Sequence, residues 1–382
     1  MTNLKYFFIW HANFRGDDVS DPNPGITNAF LDKYFSEKSY IIIRHSLFRG
    51  GKTKVTFKNS EIRNRDFSHI GLLPDPLRYV VELMFNFYYV LAYGRGRVFL
   101  CIDPLSAFVP VLLKKIGYVK KVVFLTPDFS KKRFQNPLLN GIYFALDAFC
   151  TRGADVNVCN SSEVIRYKKE IYKNKGITYF HMPNVPPPWI VEKYKSIQKV
   201  AHKVIYVGNL GDDINLGGFK ELFAAIHESS KDYPDITLFI AGGGSKLETL
   251  KAIAHDSARV IFLGVLSHED TLKQIAESEI GIALYNGDNS YDEFRDSLKI
   301  REYQAFGTIP ITTDVVKSNV EEIRSYGSGI ILERFDKDSV LAALVTSMDP
   351  TKSAELQRKA SLNHELQQDS FNRFLEATGF EL

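Results

Sequence analysis

At 382 residues the chain is longer than one hydrophobic core usually grows, so two domains are expected. A composition of 45% hydrophobic and 24% charged residues, with no low-complexity tract, excludes a disordered or fibrous protein. The net charge of +3 hides a split: residues 1–200 hold about 30 Lys and Arg against about 16 Asp and Glu, and the rest about 18 against 29. The basic half suits either a plain solvated surface or an anionic partner such as a phospholipid surface or lipid diphosphate. No recognised motif interleaves its cations, so a nucleic-acid partner is not expected.

Cys101, Cys150 and Cys159 have no CxxC spacing and suit free thiols in a reducing compartment. Nothing near Met1 has the pattern of a signal peptide. The longest apolar stretch, residues 79–93, is interrupted by Glu82 and Asn86 and falls short of the roughly 20 residues of a spanning helix. A cytoplasmic protein is expected.

Along the first half, residues 6–10 read as a strand, and Gly25 opens a helix carrying Ile26, Phe30 and Tyr34. Residues 40–43 are the next strand. Residues 97–102 lead to Asp103, and residues 121–125 lead to Asp128. Residues 156–159 lead to Ser161 and Ser162, which start a helix. Between two of these strands, residues 112–121 set lysine pairs around apolar and aromatic residues, as interfacial segments do; a core-facing helix with solvated lysines has the same pattern. Residues 183–188 contain Pro183, Pro186, Pro187 and Pro188, a run that continues neither helix nor sheet.

The second half alternates more cleanly. Residues 204–208 form a strand, and Phe219, Leu222, Phe223 and Ile226 mark a helix. Residues 236–241 form a strand that ends in Gly242, Gly243 and Gly244, and residues 260–264 form another. Ser267 with Asp270 caps the helix carrying Leu272, Ile275 and Ala276. Strands at 280–284, 309–313 and 329–332 complete the series. Continuous apolar strands separated by helices mean parallel sheets covered on both faces. The expected architecture is α/β, with two Rossmann-like doubly wound domains facing a cleft: residues 1–185, a linker at 186–202, and residues 203–365. The C-terminal helix near 366–380 is placed with the first domain. Ligands of such sheets bind beyond the carboxyl ends of the strands.

Residues 297–314 carry the densest signal. Ser297 reads as an N-cap, Leu298, Ile300, Tyr303 and Phe306 as an apolar side, and Gly307 as the stop. Helix N-termini attract phosphate. Lys299 there suits a diphosphate, and Glu302 one turn on suits ribose hydroxyls. An ordinary capped amphipathic helix has the same pattern.

Two such domains with this segment in the second resemble the GT-B glycosyltransferases, in particular the family-four-type (group 1) superfamily, over nearly the whole chain. Val207-Gly208-Asn209, Gly242-Gly243-Gly244 and Phe262-Leu263-Gly264 sit where that family has its glycine turns. Ser297-x-Lys299-x-x-Glu302 running to Gly307 and Pro310 matches most closely. Pro183-Asn184-Val185 resembles the family's entry to its second domain. Residues 128–143, from Asp128 to Tyr143, resemble a subgroup of surface-polysaccharide pathways. Asn209 stands where the family often has an Arg, and Asn215, Leu216 and Gly217 occupy the region of its Lys. The family's paired glutamates lie eight apart; here that count lands on Phe294, with Glu293 one step away.

The resemblance implies a transferase moving a sugar from a nucleotide-sugar, UDP- or GDP-linked, to a glycan, polysaccharide or lipid-linked acceptor. It also implies peripheral contact with an anionic membrane on the inner face of the plasma membrane. Donor-binding candidates are Gly208, Asn209, Gly243, Gly244, Ser297, Lys299, Ile300 and Glu302, with Arg295 as an auxiliary cation. Asp128 is the candidate general base, with Asp103 second; a helix N-cap is the other reading of either. No cofactor beyond the donor and no metal is expected, since the only Asp-x-Asp, Asp336-Lys337-Asp338, reads as a helix start. His11, after the first strand, reads either as cleft-facing or as structural. The competing readings are a non-catalytic GT-B binding module, favoured by the missing Arg-Lys pair, and a sugar-nucleotide epimerase of the same fold.

Overall fold

The computed structural model describes residues 5–15, 18–20, 31, 35–173, 176–212, 214–255, 257–288 and 290–378. The helix expected to carry Ile26, Phe30 and Tyr34 lies outside the described residues. The chain divides into two units, one of residues 1–182 with 371–382, the other of residues 183–370.

In the first unit the strands are β1 (Tyr6–Arg15), β2 (Asp18–Ser20), β3 (Tyr40–Ser46), β4 (Thr53–Lys58), β5 (Ile62–Phe67), β6 (Val98–Ile102), β7 (Lys121–Thr126), β8 (Val156–Cys159) and β9 (Tyr179–His181). They form one sheet in the order β5-β4-β3-β1-β6-β7-β8-β9, with β2 on β1. The sheet is parallel from β3 to β9. Neighbouring residues of β1 serve opposite faces: Phe8 and Trp10 enter one core cluster, Phe7 and Ile9 the other. Phe374 and Leu375 of the long C-terminal helix belong to the first of these clusters.

The antiparallel β4–β5 hairpin was not foreseen in the sequence. Its outer strand, Ile-Arg-Asn-Arg-Asp-Phe, lies on the sheet's edge and is exposed along most of its length, so it lacks the apolar run that marks a strand.

In the second unit β10 (Val200–Val207), β11 (Thr237–Ala241), β12 (Val260–Gly264), β13 (Ser278–Ala283), β14 (Ile309–Thr313) and β15 (Ile330–Leu332) follow the order β12-β11-β10-β13-β14-β15. All neighbours are parallel. Val204 and Tyr206 face one cluster and Ile205 the other, so the sheet is covered on both sides. Order switches between β10 and β13, which places the carboxyl end of β10 at the reversal point where open sheets bind ligands. Proline does not keep residues 183–202 irregular: Pro188–Tyr194 is a helix with Pro188 in its first turn, where a missing N–H costs nothing. Tyr194 fixes it to the second unit's core.

Candidate active site

In the second unit the site grows from the helix Leu298–Ala305. Its cap is Ser297, whose Oγ accepts from the Ile300 N–H at 3.4 Å and shares a 2.7 Å hydrogen bond with the Tyr285 hydroxyl. The Ser297 N–H donates to Asn319 Oδ1 at 2.8 Å. The helix is not amphipathic as expected: residues 300–305 are all buried, including Arg301, Glu302 and Gln304. A helix enclosed on every side needs partners for its polar groups. Arg301 donates to Asp296 Oδ1 from Nε at 2.9 Å and from Nη2 at 2.7 Å, and to Glu322 Oε1 at 2.9 Å. Burial opposes its charge, but the Asp296 and Glu322 carboxylates more than offset this and hold its pKa above the ordinary value.

Tyr303 sets the helix against the sheet. Its hydroxyl donates to the Ile282 carbonyl at 3.1 Å and accepts the Val207 N–H at 3.3 Å, tying the helix to the end of β10. The ring lies flat on Gly281, where a Cβ would come within 2.4 Å of it.

This anchoring sets Lys299 above Gly208. Its Nζ lies 4.6 Å from the Tyr206 ring centroid and 5.4 Å from that of Tyr285. A Cβ at Gly208 would stand 2.9 Å from that nitrogen, so only glycine leaves Lys299 in place. Arg295 adds a second cation, with Cζ 5.7 Å from the Tyr285 ring. Two cations thus stand at one tyrosine, whose hydroxyl fixes the helix cap; Arg295 also pairs with Asp292 at 3.3 Å. Sequence reading missed Tyr206 and Tyr285. Tyr206 sits inside an apolar strand, where an aromatic reads as core, and nothing in the spacing marks its outer edge.

Gly243 and Gly244 follow β11 beside the same strand end. The Leu210 N–H donates to the Gly243 carbonyl at 2.9 Å, joining the two loops. A Cβ at Gly244 would meet the Leu210 carbonyl group at 2.4 Å, and φ there is +154°. These glycines therefore serve close approach of chain to chain. Asn209 is exposed on the same loop. Ile300 offers no side chain to a ligand, being fully buried, and its amide is taken by the Ser297 cap. Glu302 Oε1 accepts from His268 Nε2 at 3.0 Å, a partner the sequence did not reveal. This hydrogen bond raises the His268 pKa against the pull of partial burial.

Behind this layer His364 is 4% exposed; burial, and then the charge of Arg301, lower its pKa from 6.5 to about 4. The unfolded chain therefore takes up a proton near pH 6.5 that the folded chain refuses until about 4. Stability is expected to fall as pH drops through that window. Urea midpoints at pH 7.5, 5.5 and 4.5 in wild type and His364→Gln check this. A variant with the same acid loss as wild type shows that other groups cause it.

In the first unit Asp103 caps the helix Pro104–Lys115 with φ at 80°, a left-handed value uncommon outside glycine. Its Oδ1 accepts the Ser106 N–H at 2.9 Å, and its Oδ2 the Ser106 hydroxyl at 3.0 Å. His11 Nδ1 lies 2.7 Å from the same Oδ2, and His11 Nε2 lies 3.1 Å from Glu82 Oε2. Burial lowers the His11 pKa, but the two carboxylates outweigh it and lift it to about 10, so the ring is an imidazolium. Burial raises the Asp103 pKa, but the imidazolium and the Ser106 donors bring it below its ordinary value. Asp103 is thus held as a carboxylate with its lone pairs committed. Asp128 sits in the loop after β7, with its side chain 55% exposed, and pairs with Arg133 Nη1 at 3.0 Å. The structure does not bring Asp103 and Asp128 into one hydrogen-bonded group.

Asp336, the start of the Asp-x-Asp, caps the helix Lys337–Met348 by accepting the Ser339 N–H at 2.8 Å. Among the described residues no three His, Cys, Asp or Glu side chains group as a metal site.

Residues 201–349 match the family model described as Glycosyl transferases group 1. No curated protein matches the chain in sequence. A solved structure described as trehalose-6-phosphate from E. coli bound with UDP-2-fluoro glucose is similar, with a TM-score of 0.66 at 13% identity over 97% of this chain and 98% of that one. An alpha,alpha-trehalose-phosphate synthase (UDP-forming) from Burkholderia vietnamiensis gives 0.64 at 12% identity over 98% and 97%. The pneumococcal O-GlcNAc transferase GtfA, in complex with UDP and GlcNAc, gives 0.56 at 11% identity over 87% of this chain and 62% of that one. These likenesses carry the fold, and the family match carries the second unit. Residues 201–349 are thus similar to the group 1 glycosyl transferases, and the chain as a whole shares the two-unit α/β fold of these solved GT-B structures.

Proposed function

We propose that the chain transfers a hexose from a UDP-linked sugar to a hydroxyl of a glycan, polysaccharide or lipid-linked acceptor, in the cytoplasm and peripheral to the membrane. The observation that carries the reading is Lys299 held by the Tyr206 and Tyr285 rings above Gly208, with Arg295 on the second ring. That pair of cations neutralises a leaving diphosphate. UDP is favoured because similar folds hold UDP and UDP-2-fluoro glucose. Glu302 accepts from ribose hydroxyls once His268 yields its hydrogen bond. Asp128 takes the acceptor proton, the acceptor oxygen bonds to the anomeric carbon, and the carbon–oxygen bond to the diphosphate breaks with its electron pair leaving on the nucleotide.

A thermal-shift screen of UDP-, GDP- and ADP-sugars is expected to select UDP-sugars. Calorimetric titration of Lys299→Ala and Glu302→Ala should then show binding weakened by roughly 1–3 kcal/mol each, the scale of hydrogen bonds to charged groups. Unchanged affinity in both variants removes the donor site from this helix. Binding without any transfer or hydrolysis would favour a non-catalytic module.

A further inference from the structure

The helix Asp75–Tyr93 of the first unit buries polar residues along most of its length and exposes apolar ones. Its first three turns bury Arg78, Glu82 and Asn86, at helical spacing and no more than 2% exposed, and only its last turn buries apolar residues, Tyr89 and Val90, in the core. The three polar residues serve the polar network: Arg78 donates to the Ser46 carbonyl at 2.9 Å, Glu82 holds His11, and Asn86 Oδ1 lies 2.9 Å from His45 Nε2. Its outward residues are Leu77, Val80, Met84, Phe87, Tyr88 and Leu91. They recur at helical spacing and are between 41% and 68% exposed. From Leu77 to Tyr93 no charged side chain reaches the surface. A surface helix of a water-soluble protein has the opposite arrangement, polar outside and apolar inside.

The apolar face continues past both ends. The Gly96 N–H donates to the Tyr118 carbonyl at 2.8 Å, and the Tyr118 hydroxyl donates to the Leu91 carbonyl. These bonds bring up the turn that carries Ile116, 74% exposed. At the other end the Gly50 N–H donates to the Gly71 carbonyl at 2.7 Å, setting the turn of Phe48 beside exposed Leu72. Cations border this face: Arg95, Lys115 and Lys120 at one end and Arg49 at the other, all exposed.

We propose that this face docks the first unit on an anionic lipid bilayer, with the helix lying in the plane of the interface. At 1.5 Å per residue the helix is about 28 Å long. No described helix is long and apolar enough to cross a membrane, so contact is from one side. Charge selects the occupant. An apolar face with aromatic residues and a basic rim, on a half of the chain with about 30 cations to about 16 anions, complements acidic headgroups. The same face of a second copy would bring its own cations against that rim. The inference deepens the proposed peripheral location by naming the surface. Its test uses no sugar donor, so it fails or succeeds independently of the donor site.

The test is co-sedimentation of the full chain with phosphatidylcholine vesicles, with and without about 30% phosphatidylglycerol, at low and high salt. Binding is expected with the anionic vesicles and should weaken as salt rises. Met84→Gln with Phe87→Gln should lower partitioning at least about tenfold while leaving the melting temperature unchanged, because both residues are already exposed. Lys115→Glu with Lys120→Glu should remove the preference for anionic vesicles. Failure to sediment, or unchanged partitioning of Met84→Gln with Phe87→Gln, overturns the proposal. So does a dimer in sedimentation velocity that this pair of substitutions dissolves, since a second copy then covers the face.

Discussion

Arg301→Met is expected to lower the stability of the second unit by about 3–5 kcal/mol, the cost of removing one partner from a buried ion pair. Asp296 and Arg301 are both fully enclosed, and Glu322 is nearly so. Asp296 serves four donors: two on Arg301, the Asn319 side chain at 3.2 Å and the Asn184 N–H at 2.5 Å. Without the guanidinium, Asp296 keeps a buried negative charge that its neutral donors satisfy only in part. Lys in place of Arg keeps the charge but reaches one oxygen where the planar fork reaches three. Arg301→Lys should therefore recover only part of the loss. The same network lies one turn below Lys299 and next to the Ser297 cap. If the proposed donor site is right, a folded Arg301→Lys protein should thus bind a nucleotide-sugar less well although Lys299 and Glu302 are unchanged. Urea unfolding followed by a probe in the second unit measures the first effect, and calorimetry the second. A loss below about 1 kcal/mol in Arg301→Met would mean that water or a rearranged Asn319 replaces the guanidinium.

The central parallel strands of both sheets were legible because they carry unbroken apolar runs, and such runs survive in any context that buries both faces. The Ser297 cap was legible because a hydroxyl stands just ahead of the helix's apolar residues. The sequence did not reveal what the helix leans on. Arg301 reads as a solvated residue between Ile300 and Glu302, because its partners Asp296 and Glu322 stand at spacings no helical pattern links. The helix Asp75–Tyr93 shows a related limit. Its apolar periodicity is real, but periodicity does not say which face looks inward; only burial of Arg78, Glu82 and Asn86 does. His11 illustrates the same limit. Its two carboxylates come from positions 71 and 92 residues away.

Asp128→Asn is expected to lower turnover by about 10²–10⁴, the usual contribution of a general base, and to leave the affinity for UDP-sugar near wild type. The two candidate carboxylates differ in what they already hold. Asp103 accepts from Ser106 twice and from the His11 imidazolium, so a proton arriving there must displace an ion pair and a helix cap. Asp128 has Arg133 at 3.0 Å and is more than half exposed, so its charge is met by one cation that water also screens. It is thus the carboxylate of the two that can turn to an acceptor hydroxyl without breaking a buried ion pair or a helix cap. Asp103→Asn should behave differently. It removes the partner that, with Glu82, keeps His11 charged, so the His11 pKa should fall from about 10 and the unit should lose stability. His11 contributes stability that is complete below pH 6.5 and is lost as pH rises through about 10, so the Asp103→Asn deficit should be largest in acid and neutral solution. The anomeric configuration of the product, read by NMR, tests the assignment independently. Inversion fits an acceptor deprotonated by Asp128. Retention, or an Asp128→Asn enzyme with near-normal turnover, would falsify the base assignment and leave Asp128 as the anchor of Arg133.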